Sequence, residues 1–136
     1  RSRIVTAASI MVDKPLVARL GKEGPEVLIR KMKERKLTVL PVVDAGGILQ
    51  GEVRLRDLVK LREAKVKDIK SEVHSITADT VVEDILPLMT KTNSPIWVVN
   101  EEREFEGVVP LSSLIVEVTG KDKEEINDII QQAIDL

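Results

Sequence analysis

The chain has 136 residues, 43% of them hydrophobic, with 21 Lys and Arg set against 23 Asp and Glu for a net charge of -2. That balance excludes a broad basic surface for nucleic acid, and one Trp, one Phe and no Tyr leave no platform for stacked bases. The absence of Cys removes disulfides and thiolate metal sites and suits a reducing cytoplasm, and no apolar run approaches the roughly 18 to 20 residues of a membrane-spanning helix.

The chain opens on Arg1, directly in patterned sequence, and is expected to be a piece of a longer protein whose activity lies elsewhere. A short strand over residues 16–20 leads to a helix whose Leu28, Ile29 and Met32 share one face, with Gly24-Pro25 at its start. A nearly all-apolar strand over 39–43 follows, then a turn at Ala45-Gly46-Gly47, a strand over 51–54 and a helix over 55–61. The order then repeats. A strand over 73–76 precedes a helix with Val82, Ile85, Leu86 and Met89 on one face, where Asp79-Thr80 offers a side-chain cap and Pro87 is either a tolerated irregularity or the cause of a kink or a late start. An apolar strand over 96–99, a turn over 101–104, a strand over 107–110 and a helix over 111–118 complete the second copy.

The repeat has a measurable frame. Asp44 and Asn100 are 56 residues apart, as are Gly51 and Gly107, and in that frame Val42, Val43, Val53, Leu55 and Leu58 fall on Val98, Val99, Val109, Leu111 and Leu114. Met32 and Met89 differ by 57, a slip of one that a loop absorbs. The expected class is α/β (α+β), β-α-β-β-α twice. Strands apolar on both faces need cover on both sides, which two copies packed sheet to sheet supply and one does not. The expected organisation is residues 1–64 as the first repeat, 65–119 as the second and 120–136 as a C-terminal amphipathic helix.

The Met that ends the first helix, then "LPVVD", a Gly-bearing turn and "GEVRLRDL", with the degenerate echo "PIWVVN…GVVPLSSL", resembles a tandem pair of cystathionine-β-synthase (CBS) domains, the Bateman module. The resemblance covers roughly residues 6 to 118. Within that family, "GPEVLIRKMKE", "LPLM…SPIWVVN" and "GVV" look most like the C-terminal regulatory tail of ATP-binding subunits of glycine betaine/proline ABC transporters. The resemblance implies a flat disc around a pseudo-two-fold axis, with two inter-sheet clefts that commonly hold adenosine nucleotides.

It also implies a binding segment, Gly-h-h-Thr/Ser-x-x-Asp, whose carboxylate accepts hydrogen bonds from ribose hydroxyls and whose hydroxyl faces phosphate. In the first copy this segment is Gly51 to Asp57: the carboxylate of Asp57 is kept, Arg54 stands at the hydroxyl position, and Arg56 lies beside it. Guanidinium groups suit phosphate, so Arg54 and Arg56 retain that chemistry. In the second copy Pro110 and Ser113 replace the hydroxyl residue and the carboxylate, which removes chemistry without a visible substitute. By the same resemblance Thr38, Val39 and Met11 join Asp57, Arg54 and Arg56 as residues of a nucleotide site. The asymmetry predicts that the Asp57 side is occupied first.

The remaining candidates have plainer readings. His74 has no second His or Cys at ligand spacing and reads as structural or surface. Trp97 falls at the register of Pro41 and reads as packing rather than as a base-stacking platform. The cluster Glu101 to Glu106 reads as a solvated turn. In the tail, Ile126, Ile129, Ile130, Ala133 and Ile134 recur at helical spacing opposite an acidic face. It either packs back on the disc, or joins two modules or meets a partner.

No cysteine nucleophile, triad or phosphate loop is present, so no catalysis, no required cofactor and no metal are expected. The expected function is regulatory: a module that senses ionic strength, or an adenine nucleotide (cyclic di-AMP, AMP or ATP) bound in the inter-repeat cleft or at a dimer interface, and gates an osmoprotectant (glycine betaine/proline) transporter. Its partners would be a second copy, an ABC ATPase domain in cis and the transporter's membrane subunit, with no nucleic acid and no membrane insertion. The location would be cytoplasmic, at the inner face of the membrane. The alternative is a ligand-independent dimerisation and assembly module.

Overall fold

The computed structural model describes residues 4–61, 73–92, 94–120, 128 and 131–132. Its elements are α1 (Ala7–Ile10), β1 (Val12–Asp13), β2 (Ala18–Arg19), α2 (Pro25–Glu34), β3 (Val39–Val43), β4 (Leu49–Arg54), α3 (Leu55–Leu61), β5 (Ser75–Ile76), α4 (Val82–Thr92), β6 (Ile96–Val99), β7 (Phe105–Val109) and α5 (Leu111–Thr119). From β2 to α3 and again from β5 to α5 the order is β-α-β-β-α, as the repeat predicts. The tail residues Ile126, Ile129, Ile130, Ala133 and Ile134 lie outside the described residues.

Each central strand is buried along its whole length, and the two faces of each serve different cores. Leu40 and Val42 of β3 pack with Leu28 and Met32 of α2 and Leu58 of α3, while Ile96 and Val98 of β6 pack with Val82, Ile85 and Met89 of α4 and Leu114 of α5. Between the sheets, Val39 and Leu49 of the first copy meet Trp97 and Val99 of the second. Neither copy can bury its inner face alone, so strands apolar on both faces give a four-layer stack of helix, sheet, sheet and helix.

The sheets carry the same irregularity. β3 pairs with β2 in parallel and with β4 antiparallel, and the register slips where Val43 meets Leu49, leaving Gln50 unopposed. β6 pairs likewise with β5 and β7, with the slip where Val99 meets Phe105 and Glu106 left over. A bulge of this kind reverses the facing of the residues before it. It turns Leu49 and Phe105 toward the inter-sheet core while Val53 and Val109 face the helices. Both strands consequently begin two residues before the Gly at which the sequence places them.

The turns also repeat. The Asp44 carboxylate accepts from the backbone N–H groups of Gly46 and Ile48 at 2.9 and 3.0 Å, and the Asn100 side-chain oxygen accepts from Glu102 and Glu104 at 3.0 and 2.9 Å. Such side chains hold turns by imitating a backbone carbonyl.

Two local expectations change, and a third is decided between its two readings. The sequence shows no element before residue 16, yet β1 pairs with β7, so the N-terminal segment completes the second copy's sheet in the order β1-β7-β6-β5. Asp79 and Thr80 do not cap α4: the Thr77 hydroxyl donates to Asp79, and the Val82 N–H is satisfied by the carbonyl of Val5 at 3.0 Å. Finally, Pro87 is a tolerated irregularity: α4 starts at Val82 and runs through it. Pro87 and Glu83, whose carbonyl loses its helical partner, both belong to exposed positions, where water can replace that bond.

Candidate functional site

The first copy's segment from β4 into α3 is pinned where it changes direction. Arg54 is the register partner of Val39, and the Leu55 N–H donates to the carbonyl of Thr38 at 2.9 Å, so the start of β3 and the start of α3 lie side by side. Among the described residues, Thr38, Arg54, Leu55, Arg56 and Val59 line an open cavity of about 490 Å³. Its described lining thus brings together two arginines, one hydroxyl-bearing side chain and two aliphatic ones. This donor set suits a ligand with an anionic end and an apolar body.

The six residues singled out from the sequence divide by position. Thr38, Arg54 and Arg56 line this cavity. Val39 lies behind them in the inter-sheet core. Asp57 sits in the first turn of α3 with its side chain 55% exposed, and Arg56, 78% exposed, approaches it at 4.0 Å, an exposed contact worth little energetically. Met11 lies elsewhere, over the second copy's sheet: a Cβ built on Gly107 would meet Met11 Sδ at 3.1 Å and the Val12 carbonyl at 2.7 Å.

Arg54 is held from behind. Its guanidinium donates to the Ser94 hydroxyl of the second copy and approaches Glu52 Oε2 at 3.5 Å. Glu52 in turn accepts from Trp97 Nε1 at 3.0 Å and from Ser94 Oγ at 3.3 Å. Sequence reading missed Glu52 and Ser94. The signal for Glu52 was a charge at an inward strand position whose repeat counterpart is Val108, and Ser94 falls on Thr38 in the same frame.

Trp97 itself is 2% exposed and meets Phe105 edge to face with centroids 6.3 Å apart, so it is a core residue, as its reading predicts. His74 is exposed, and among the described residues no group of three or more His, Cys, Asp or Glu is placed to hold a metal.

The second copy's equivalent segment is poorer in donors. Pro110 precedes α5 as its capping residue without a side-chain hydrogen bond, and Ser113 donates its backbone N–H to the Pro110 carbonyl at 3.1 Å. A separate groove of about 330 Å³ runs between α4 and α5, lined mainly by Leu86, Met89, Leu111, Leu114, Ile115 and Val118. Leu86, Leu111 and Val118 are exposed there.

Among curated proteins, the chain is 25% identical over 126 residues to the glycine betaine/carnitine transport ATP-binding protein of Listeria monocytogenes, covering 90% of this chain and 31% of that one. It is 29% identical over 125 residues to the glycine betaine transport ATP-binding protein of Bacillus subtilis, covering 90% of this chain and 29% of that one. The chain therefore spans less than a third of the length of these relatives. Among solved structures, CBSX2 in complex with AMP superposes with a TM-score of 0.75 at 21% identity, over 85% of this chain and 96% of that one. The CBS domain family matches residues 7–64 and again 66–120, and these two matches, on copies that share one inter-sheet core, establish that the chain belongs to the CBS domain family as a tandem regulatory pair.

Proposed function

We propose that this chain is the regulatory module of an osmoprotectant ABC transporter ATP-binding subunit of the glycine betaine class, and that an adenine nucleotide bound at the first copy's cavity, where β4 passes into α3, gates transport. The observation that carries the reading is the cavity at Thr38, Arg54 and Arg56, whose described lining includes two arginines and no acidic residue. A phosphate in that cavity would be neutralised at close range, with the adenosine body against Leu55 and Val59. Similarity to transport ATP-binding proteins, and to a CBS pair solved with AMP, supports the class of partner and of ligand. AMP, ATP and cyclic di-AMP are the candidates. In this setting the module works at the cytoplasmic face of the membrane, fused to an ATPase domain that performs any hydrolysis.

Gating follows from linkage: a nucleotide shifts the equilibrium between two arrangements of the module by its difference in affinity for them. A homodimer through the α4–α5 groove supplies two such arrangements, and the exposed Leu86, Leu111 and Val118 favour a second copy there. Calorimetric titration with AMP, ATP and cyclic di-AMP, with sedimentation across a salt series, tests the reading. Binding of one nucleotide with a change in assembly supports it. A stable dimer that answers neither nucleotide nor salt would replace it with a ligand-independent assembly module, which the loss of hydroxyl and carboxylate at Pro110 and Ser113 already favours for the second cleft.

A further inference from the structure

Arg54, Ser94, Glu52 and Trp97 form a polar chain that begins at the cavity and ends in the inter-sheet core. Two of its members belong to the first copy and two to the second. The side chains of Arg54 and Glu52 are 29% and 13% exposed, and Ser94 is buried, so the contacts are shielded from competing water.

The repeat shows that the scaffold does not require this chain. In the frame of 56 residues, Trp97 corresponds to Pro41, Glu52 to Val108, Ser94 to Thr38 and Arg54 to Pro110. Of those counterparts only Thr38 has a hydrogen-bonding side chain. Apart from Thr38, the fold is therefore built at the symmetric location with apolar residues, and among the described residues the polar chain occurs on the side where Arg54 lines a cavity.

We propose, building on the nucleotide reading above, that Glu52 and Ser94 are specificity-determining residues that act through Arg54, and that Trp97 reports their state. Glu52 offsets part of the charge of Arg54, and Ser94 takes one of its donors. A phosphate entering beside Thr38 and Arg56 competes with both for the same guanidinium. A more highly charged ligand competes better, so Glu52 sets how much negative charge a ligand must bring. When Arg54 turns to the ligand, Glu52 keeps its bond to the indole N–H but loses a counter-charge, which changes the field at Trp97.

Trp97 is the one Trp of the chain, so its emission reads this event without ambiguity. The test is to titrate the full chain and its Glu52→Gln and Ser94→Ala variants with adenosine, AMP and ATP, following heat and Trp97 emission together. The expected result is an emission change that tracks the heat of AMP or ATP binding. Glu52→Gln should tighten AMP by about three- to tenfold, the worth of a partly exposed charge pair, tighten ATP more, and leave adenosine unchanged. Ser94→Ala, a milder change to the fold, should shift affinity in the same direction by less. A merely structural role would move all three ligands alike. Binding heat with constant Trp97 emission and an unaltered AMP-to-ATP ratio in both variants overturns the role of Glu52 and Ser94 while the nucleotide reading stands. No heat with any nucleotide in any of the three proteins overturns both.

Discussion

The backbone N–H of Leu49 donates to the carbonyl of Arg103 at 3.0 Å, and 56 residues along each chain segment Phe105 donates to Gly47 at 2.8 Å. The turn of each copy is thus tied to the first residue of the other copy's strand, about a local two-fold axis. Together with the inter-sheet core of Val39, Leu49, Trp97 and Val99, this makes the copies one folding unit. Thermal or denaturant unfolding is expected to give coincident curves by Trp97 emission and far-UV circular dichroism. Two separated transitions would mean that the copies unfold independently.

Gly107 is required for the approach of the N-terminal segment. Its Cβ would stand 2.7 Å from the Val12 carbonyl, inside any tolerated contact with backbone, and β1 would have to leave β7. Gly107→Ala is expected to destabilise by about 1 to 3 kcal/mol, the usual range for overpacking. Hydrogen exchange should show the loss concentrated at the β1–β7 pair, and uniform loss across both sheets would contradict the placement.

The scaffold was largely legible because a strand apolar on both faces, met twice at one spacing, has few ways to be covered. Residues 39–43 and 96–99 carry that signal, and the helices around Met32 and Met89 carry theirs by period. What escaped has a physical reason in each case. The strand Val12–Asp13 is two residues long, too short for any period, and its partner Val108 is remote in sequence. The bulges at Gln50 and Glu106 advance both strand starts, and they depend on pairing rather than on local preference. Within the cleft, Thr38, Arg54 and Arg56 could be named from the family pattern, whereas the contacts of Ser94 with Arg54 and Glu52, and of Glu52 with Trp97, cross the sheet interface, where sequence separation hides them.

The turns give a paired test. Asp44 and Asn100 each accept two backbone N–H bonds, so Asp44→Ala and Asn100→Ala should each cost about 1 to 2 kcal/mol. Asp44→Asn should cost less, because Asn100 shows that an amide oxygen serves the same role. At the next shared position Gly47 has φ of 82° and Arg103 has φ of 66°, both left-handed. Gly47→Ala is therefore expected to lose about 1 kcal/mol through strain that glycine avoids. Chemical denaturation at constant m-value measures all four.

Trp97 couples packing to polarity, and two substitutions separate them. Trp97→Ala empties a site at the centre of the inter-sheet core and should cost about 3 to 5 kcal/mol. Trp97→Phe keeps most of the apolar volume but removes the indole N–H that Glu52 accepts, and should cost less, by about 1 to 3 kcal/mol. Combining Trp97→Phe with Glu52→Gln should then be less than additive, since the bond is already gone. Strict additivity in that cycle would show that the Trp97–Glu52 contact contributes nothing.

The two clefts should differ in affinity because they differ in charge. Arg56 is 78% exposed and makes only a distant contact with Asp57, so Arg56→Ala should leave stability within about 0.5 kcal/mol of the parent. If a phosphate is held at its guanidinium, the same substitution should weaken AMP or ATP binding by about 1 to 2 kcal/mol, roughly five- to thirtyfold, as expected for one charge-assisted contact near the surface. Ser113→Ala, in the segment where Pro110 replaces a hydroxyl residue, should leave that affinity unchanged. Raising salt should weaken the parent and flatten its advantage over Arg56→Ala, because screening acts on the exposed guanidinium first. Calorimetry with the three proteins at two ionic strengths decides the matter: an affinity that falls with Ser113→Ala and not with Arg56→Ala would move the nucleotide to the second cleft.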